Sequence, residues 1–205
     1  MARTAGSNGE ATAQAIRETS LALFAREGYA AVSMRQIADR VGVQASSLYR
    51  YHPTKQQLLV DIMRDHMEQL LEAWQAEDKP ESGGAVAALE HFARFHIRYH
   101  IKRPDEVFVS YMELRSLEEP GFREISRLRR GYETILKDIL RRGMEEGVFT
   151  VTDPHVAAMA ILAMITGVNT WYRSGGRLSQ ARIEDIYVSM VLGSAGCRSE
   201  GEGHV

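Results

Sequence analysis

The 205-residue sequence holds a single cysteine, Cys197, and only five prolines. One thiol near the end of the chain forms no intrachain disulfide and supplies no thiolate-rich metal site, so a reducing compartment suits it best. No stretch approaches the ~18 consecutive apolar residues that a bilayer-spanning helix needs, and residues 1–10 lack a signal-peptide apolar run. The expectation is a cytoplasmic protein without a membrane partner. Signatures of catalysis are missing as well: there is no Gly-rich phosphate loop, nucleophile elbow, HExxH or catalytic cysteine pair. Strand character is limited to a hint at 148–151.

What remains is ordinary globular material, 44% hydrophobic and 25% charged. Its length allows one small domain plus a larger one. The net charge of −2 hides an asymmetry. Residues 1–56 carry seven basic and four acidic side chains, net +3, and the remainder eighteen against twenty-three, net −5. A positive end on a negative body suits DNA contact by that end, although an ordinary helical surface has a similar count.

Residues 1–10, rich in Gly, Ala, Ser and Asn, have nothing to bury and are expected to form a disordered arm. From there the periodicity is helical. Ala15, Ile16, Leu23 and Phe24 recur on one face up to Gly28, and Ser33 has the chemistry of an N-cap. Thr54 starts a long amphipathic helix through Leu58, Ile62, Met63, Leu70 and Trp74. The segment 78–84 breaks it. Pro104, Pro120, Gly147, Pro154 and the 174–176 turn divide the rest into further helices, including one over 105–117 and a nearly all-apolar one over 153–174. The fold class is therefore all-α with about nine helices. The domains are a helix-turn-helix unit over 11–56, a helical bundle over 57–194 and a disordered tail over 195–205.

The window 33–55, SMRQIADRVGVQASSLYRYHPTK, carries the most information. Two helices too short to stand alone meet at Gly42. Ile37, Ala38 and Val41 line the inside of the first, and Val43, Leu48 and Tyr51 the inside of the second. Ala38 permits close approach, and Gly42 can take the left-handed conformation that turns the chain. The second helix then presents Gln44, Ala45, Ser46, Ser47 and Arg50 outward for a major groove. Gln and Arg read adenine and guanine bidentately, worth ~1–3 kcal/mol of discrimination per pair. Ser33, Arg35, Tyr49, Tyr51, His52, Thr54 and Lys55 complete the DNA-facing set, Tyr49 and Lys55 as backbone contacts and Thr54 at a helix start that offers free N–H groups.

Residues 15–59 resemble the N-terminal domain of the TetR family of transcriptional repressors. The resemblance rests on LFAREGY at 23–29, the Gly-Val turn at 42–43, and Leu48, Tyr49, Arg50, Tyr51, His52, Pro53, Thr54 and Lys55. His52 stands where the family usually has Phe, and Gln44 where Ser or Thr often caps, so Gln44 reads either as cap or as base reader. The resemblance implies a ligand-responsive repressor that binds palindromic double-stranded operator DNA as a homodimer built from its last two long helices. The small residues Ala157, Ala160, Ala163 and Gly167, with Ile183, Tyr187 and Met190, are the expected interface.

An effector pocket is expected among Phe92, Phe95, His96, Tyr99, Phe108, Tyr111, Met112, Tyr132, Met159, Met164 and Trp171, where methionines adapt to apolar ligands. The segments 92–132 and 154–173 are similar to TetR-type regulators of lipid and steroid breakdown, some responsive to acyl-CoA thioesters. That implies an apolar effector with an anionic head, with Arg94, Arg98, Arg123, Arg127, Arg130 or Arg173 to meet it. No cofactor or metal is expected: His96 and His100 share a helix face but lack a convincing third ligand. A ligand-independent architectural DNA binder and an all-α enzyme are the alternative readings.

Overall fold

The computed structural model describes residues 5–197, and they contain helices and turns but no strand. The helices are α1 (Ala5–Glu27), α2 (Met34–Val41), α3 (Ala45–Tyr51), α4 (Lys55–Ala76), α5 (Gly84–Ile101), α6 (Pro104–Met112), α7 (Gly121–Glu145), α8 (Pro154–Thr166), α9 (Val168–Trp171) and α10 (Gln180–Ser194), with a 3-10 turn at Leu114–Ser116. α9 follows α8 after Gly167 alone, whose own backbone is right-handed helical, so the two make nearly one rod and the described helices number nine bodies.

Two compact units result, one from residues up to 69 together with 104–128, the other from 70–103 together with 129 onward. This partition differs from the boundary expected at 56/57. In the first unit the upper turns of α4 and the segment 104–128 complete the small N-terminal core, in which Phe24, Ile37, Leu48, Leu58, Leu59, Met63, Val109 and Ile125 are buried together. With α2 and α3 only eight and seven residues long, α1–α3 leave part of this core for α4 and the 104–128 segment to cover.

Within this unit Ser33 accepts from the Gln36 N–H at 3.1 Å and caps α2. Gly42 ends α2 at φ 81°, ψ 30°, and the N–H groups of Gly42 and Val43 both reach the carbonyl of Ala38 at 3.0 Å. A side chain is strained in that left-handed conformation, so the turn into α3 depends on glycine. α1 begins at Ala5, inside the segment expected to be an arm: once Ile16, Leu23 and Phe24 fix the helix, each further residue costs little to add. Residues 1–4 of that arm lie outside the described residues.

In the second unit α5 packs on α8, α9 and α10. The Trp74 ring meets Phe92 and Phe95, each at 5.2 Å between centroids, and closes one end of the core. Asp153 caps α8 by accepting from the N–H groups of His155 and Val156, which together hold its carboxyl below the usual range. Residues 195–197 of the expected tail are docked, Ala195 being buried and accepting from the Thr150 N–H at 3.0 Å. The rest of the tail, 198–205, lies outside the described residues.

Candidate nucleic-acid interface and the core of the C-terminal unit

α3 is held from one side and open on the other. Leu48 is wholly buried, and Val43, Ala45 and Tyr51 pack half-buried against the same core. Gln44, Ser46, Tyr49 and Arg50 are exposed on the opposite side, with Ser47 intermediate. Gln44 stands at the N-cap position, but its side chain makes no capping bond; only its carbonyl accepts, from the N–H groups of Ser47 and Leu48. Its side chain is exposed and does not act as the cap. Alongside, Ser33, Arg35, Gln36, Asp39 and Arg40 line an open hollow of about 440 Å3. Thr54 caps α4 through a 3.0 Å bond from the Gln57 N–H.

Four residues expected to face DNA have structural duties instead. Lys55 donates to the carbonyls of Tyr29 and Val32, both at 2.8 Å, and lies 4.2 Å above the Tyr29 ring. His52 is 4% exposed, with Nδ1 3.0 Å from Asp61 Oδ2. Tyr51, on the inner side of α3, and Ala45 contribute packing. For Tyr51, His52 and Lys55 the physical reason is shared: the last turn of α3 and the first of α4 converge on the α1–α2 corner, so side chains there are drawn inward.

A second polar group supports that corner. Glu113 accepts from the Tyr29 N–H at 3.0 Å and from the Ser116 hydroxyl at 2.7 Å. Gln56 donates to the Tyr29 hydroxyl at 2.9 Å and to the Ser116 carbonyl at 2.7 Å, and accepts from the Glu118 N–H. Here α6 stops at Met112, short of the expected 117, and the chain turns through 114–116 instead. Burial raises the Tyr29 phenol above its ordinary value, partly opposed by the bond from Gln56.

Sequence reasoning missed Asp61, Arg64 and Glu124. Burial alone would raise the Asp61 carboxyl, but hydrogen bonds from His52, Gln57 and Arg64 outweigh it and lower the group to about 2. Arg64 also donates to Glu124, and that bond drives the guanidinium up and the carboxyl down. The i, i+3 pairing of Asp61 and Arg64 was the only local signal.

In the C-terminal unit the expected pocket residues Phe92, Phe95, His96, Tyr99 and Tyr132 are buried together, and Met159 and Met164 are half-buried. His96 Nε2 lies 2.9 Å from the Thr166 hydroxyl and Nδ1 3.2 Å from that of Tyr132. His100 stacks on His96 at 3.7 Å and donates from Nδ1 to the His96 carbonyl at 2.8 Å. Among the described residues no group of three His, Cys, Asp or Glu could hold a metal ion.

Four other expected pocket residues lie elsewhere. Phe108, Tyr111 and Met112 belong to α6 of the N-terminal unit and are 42%, 38% and 51% exposed. Trp171 is half-exposed and stacks on Tyr187 at 6.3 Å. It joins an outward apolar strip with Val156, Ala160, Ala163 and Met190, while Ala157, Gly167 and Tyr187 are intermediate. Ile183, expected at the interface, is 2% exposed and fills this unit's own core. Three of the head-group arginines pair with carboxylates: Arg98 binds the buried Glu184 through Nε and Nη2 at 2.8 and 2.7 Å, Arg94 reaches Asp185 at 2.8 Å, and Arg123 donates to Glu119.

Comparison with known proteins agrees with this geometry. Residues 16–62 match the family of bacterial regulatory proteins of the tetR type, and 82–195 match the tetracyclin repressor-like C-terminal domain. The HTH-type transcriptional repressor KstR2 of Mycobacterium tuberculosis is 26% identical over 194 residues, covering 90% of this chain and 92% of the relative. A bacterial regulatory protein of the tetR family from Rhodococcus RHA1 superposes with a TM-score of 0.85 at 28% identity, covering 92% of this chain and 98% of that one. AibR, solved with isovaleryl coenzyme A and operator DNA, gives 0.79 at 26% identity, over 87% and 97% of the two chains. With both of its halves matched in order, the chain belongs to the TetR family of bacterial regulatory proteins.

Proposed function

We propose that the protein is a ligand-responsive transcriptional repressor that binds palindromic operator DNA as a homodimer and leaves it when an acyl-CoA-like effector enters the C-terminal unit. The observation that carries this reading is the division of α3, with Leu48 buried and Gln44, Ser46, Tyr49 and Arg50 on the open side. Such a helix fits a major groove, with Gln44 and Arg50 reading base edges and Ser33, Arg35, Ser46, Ser47, Tyr49 and Thr54 serving the phosphates and groove walls. Residues 11–56 are the reading head in this account, and 57–194 the effector and dimerisation region.

The strip of Val156, Ala160, Ala163, Trp171 and Met190 supports a symmetric pairing of α8 and α10, because small residues let helices approach and the larger apolar ones cover the seam. Two copies then place their recognition helices one DNA turn apart, about 34–36 Å. An effector need only disturb that spacing; coupling of ~1–3 kcal/mol between sites is typical. α4 and α7 each run as one helix from one compact unit into the other, at 69/70 and 128/129, and with the α5–α6 junction at 103/104 they are the covalent paths for such a disturbance.

The acyl-CoA class rests on AibR, which was solved with isovaleryl coenzyme A. The apolar residues Phe92, Phe95, Met159 and Met164 suit the acyl part, and His96 with Tyr132 and Thr166 offers the polar contacts. The protein acts by binding rather than catalysis, in the cytoplasm; among the described residues no helix is long and apolar enough to cross a membrane. The test is a gel shift with DNA selected from a random pool by the purified protein, titrated with isovaleryl-CoA, longer acyl-CoA thioesters and free coenzyme A. Release by a thioester but not by free coenzyme A is expected. Retention under every thioester would replace this reading with an architectural DNA binder, and failure to enrich any sequence would remove DNA reading altogether.

A further inference from the structure

Four side chains of the N-terminal unit form one unbroken polar chain that neither its core nor its DNA-facing surface uses. His52 is the C-cap of α3, its N–H bonded to the Leu48 carbonyl at 3.0 Å, and its ring is almost wholly buried. The ring's Nδ1 donates to Asp61 Oδ2 at 3.0 Å, an ionised carboxylate being able only to accept. Asp61 Oδ1 accepts from Arg64 Nη1 at 2.7 Å and from Gln57 Nε2 at 2.8 Å. Arg64 Nε donates in turn to Glu124, in the first turn of α7. The sequence of groups is imidazole, carboxylate, guanidinium, carboxylate, each facing a complementary neighbour.

Packing alone does not account for a histidine at this place. His52 Nε2 is buried without a hydrogen-bond partner among the described residues, a cost that a phenylalanine of similar shape would avoid. The bond to Asp61 is what the imidazole adds. α3 has seven residues, two turns, too few to hold its own axis. Its start is fixed by the turn at Gly42 and its middle by Leu48; its end is fixed by His52. Bidentate reading of a base tolerates little error in where Arg50 is carried, so a small tilt of that last turn matters.

We infer that His52 is a positioning residue for operator recognition, and that Asp61, Arg64 and Glu124 brace it so that the course of α7 sets the aim of Tyr49 and Arg50. The inference rests on the reading of α3 as the helix that enters DNA. It makes Glu124, on α7 and outside the helix-turn-helix itself, a determinant of operator affinity.

The test uses the full chain with Glu124→Gln, His52→Phe, the double variant, and His52→Asn, whose amide can replace the Nδ1–H donor. Hydrogen–deuterium exchange without DNA reads the brace itself. Glu124→Gln and His52→Phe are each expected to speed exchange at 48–52 and to weaken binding to the selected operator about threefold to tenfold, with melting temperature nearly unchanged. The double variant is expected to be no worse than His52→Phe alone, and His52→Asn to recover most of the affinity. Unchanged exchange in Glu124→Gln, or losses that simply add, would overturn the inference. A protein that selects no DNA at all would sink the reading of α3 instead, while the exchange data would still decide the brace.

Discussion

The ammonium of Lys55 sits 2.8 Å from the carbonyl oxygen of Tyr29 and 4.2 Å from the centre of the same residue's ring. With its second bond, to the Val32 carbonyl, it clasps the α1–α2 connection to the start of α4. Burial lowers the lysine from its ordinary value, and the charge of Glu113 partly offsets this. Lys55→Met should therefore cost about 1–3 kcal/mol of stability, because two carbonyls lose a charged donor. Urea unfolding measures that loss. The salt dependence of operator binding should keep its slope; a fall of about one counterion would return Lys55 to the phosphate contacts.

Asp61 gives the protein an acid limit. Its folded value of about 2 lies below the ordinary 3.8, so its contribution is fully present above pH 3.8 and is lost as pH falls through 2. That contribution is roughly 2 kcal/mol from a shift of this size. Urea unfolding between pH 6 and pH 2 should show Asp61→Asn less stable at neutral pH and the gap to the unaltered protein closing in acid. A gap that stays constant across this range would contradict the assignment.

The His96 network should be costly to break from either end. Tyr132→Phe removes the hydroxyl 3.2 Å from Nδ1 at a wholly buried ring, and a loss of about 1–3 kcal/mol is expected. Calorimetry of the purified variant measures it. A change below ~0.5 kcal/mol would mean that the hydroxyl contributes nothing net.

Met190, 48% exposed, and Ile183, 2% exposed, lie on the same helix but belong to different surfaces. Met190→Glu should leave the melting behaviour of the monomer intact and shift sedimentation from dimer to monomer, with loss of operator binding. Ile183→Ala should instead cost about 2–5 kcal/mol of fold stability. Equal effects of the two substitutions on assembly would place the interface elsewhere.

The fold was legible because helical periodicity, Gly42, Ser33 and the prolines act locally, within one or two turns. The outward face of α3 was legible for the same reason, since Leu48 fixes the phase and Gln44 and Arg50 follow. Residues whose role depends on a distant partner were not. Lys55 and His52 carry DNA-like chemistry, and only the carbonyls of 29 and 32 and the carboxylate of Asp61 show that they are spent on the fold. Likewise the expected aromatic set divides between the two units. Phe92, Phe95 and Tyr132 share a core, whereas Phe108, Tyr111 and Met112 fall in the other unit because α6 packs against α1. Trp171, expected in the pocket, is exposed, and Ile183, expected at the interface, is buried, because which face an apolar residue takes depends on the helices packed around it.

The most direct test of the central claim is selection of DNA from a random duplex pool by the purified protein, run in parallel with Arg50→Ala. The unaltered chain is expected to enrich an inverted repeat whose half-sites lie about one helical turn apart. Arg50→Ala, at an exposed position, should fold normally and lose preference at one base pair in each half-site, worth ~1–3 kcal/mol. Enrichment of no sequence by the unaltered protein, or an identical motif from both proteins, would contradict it.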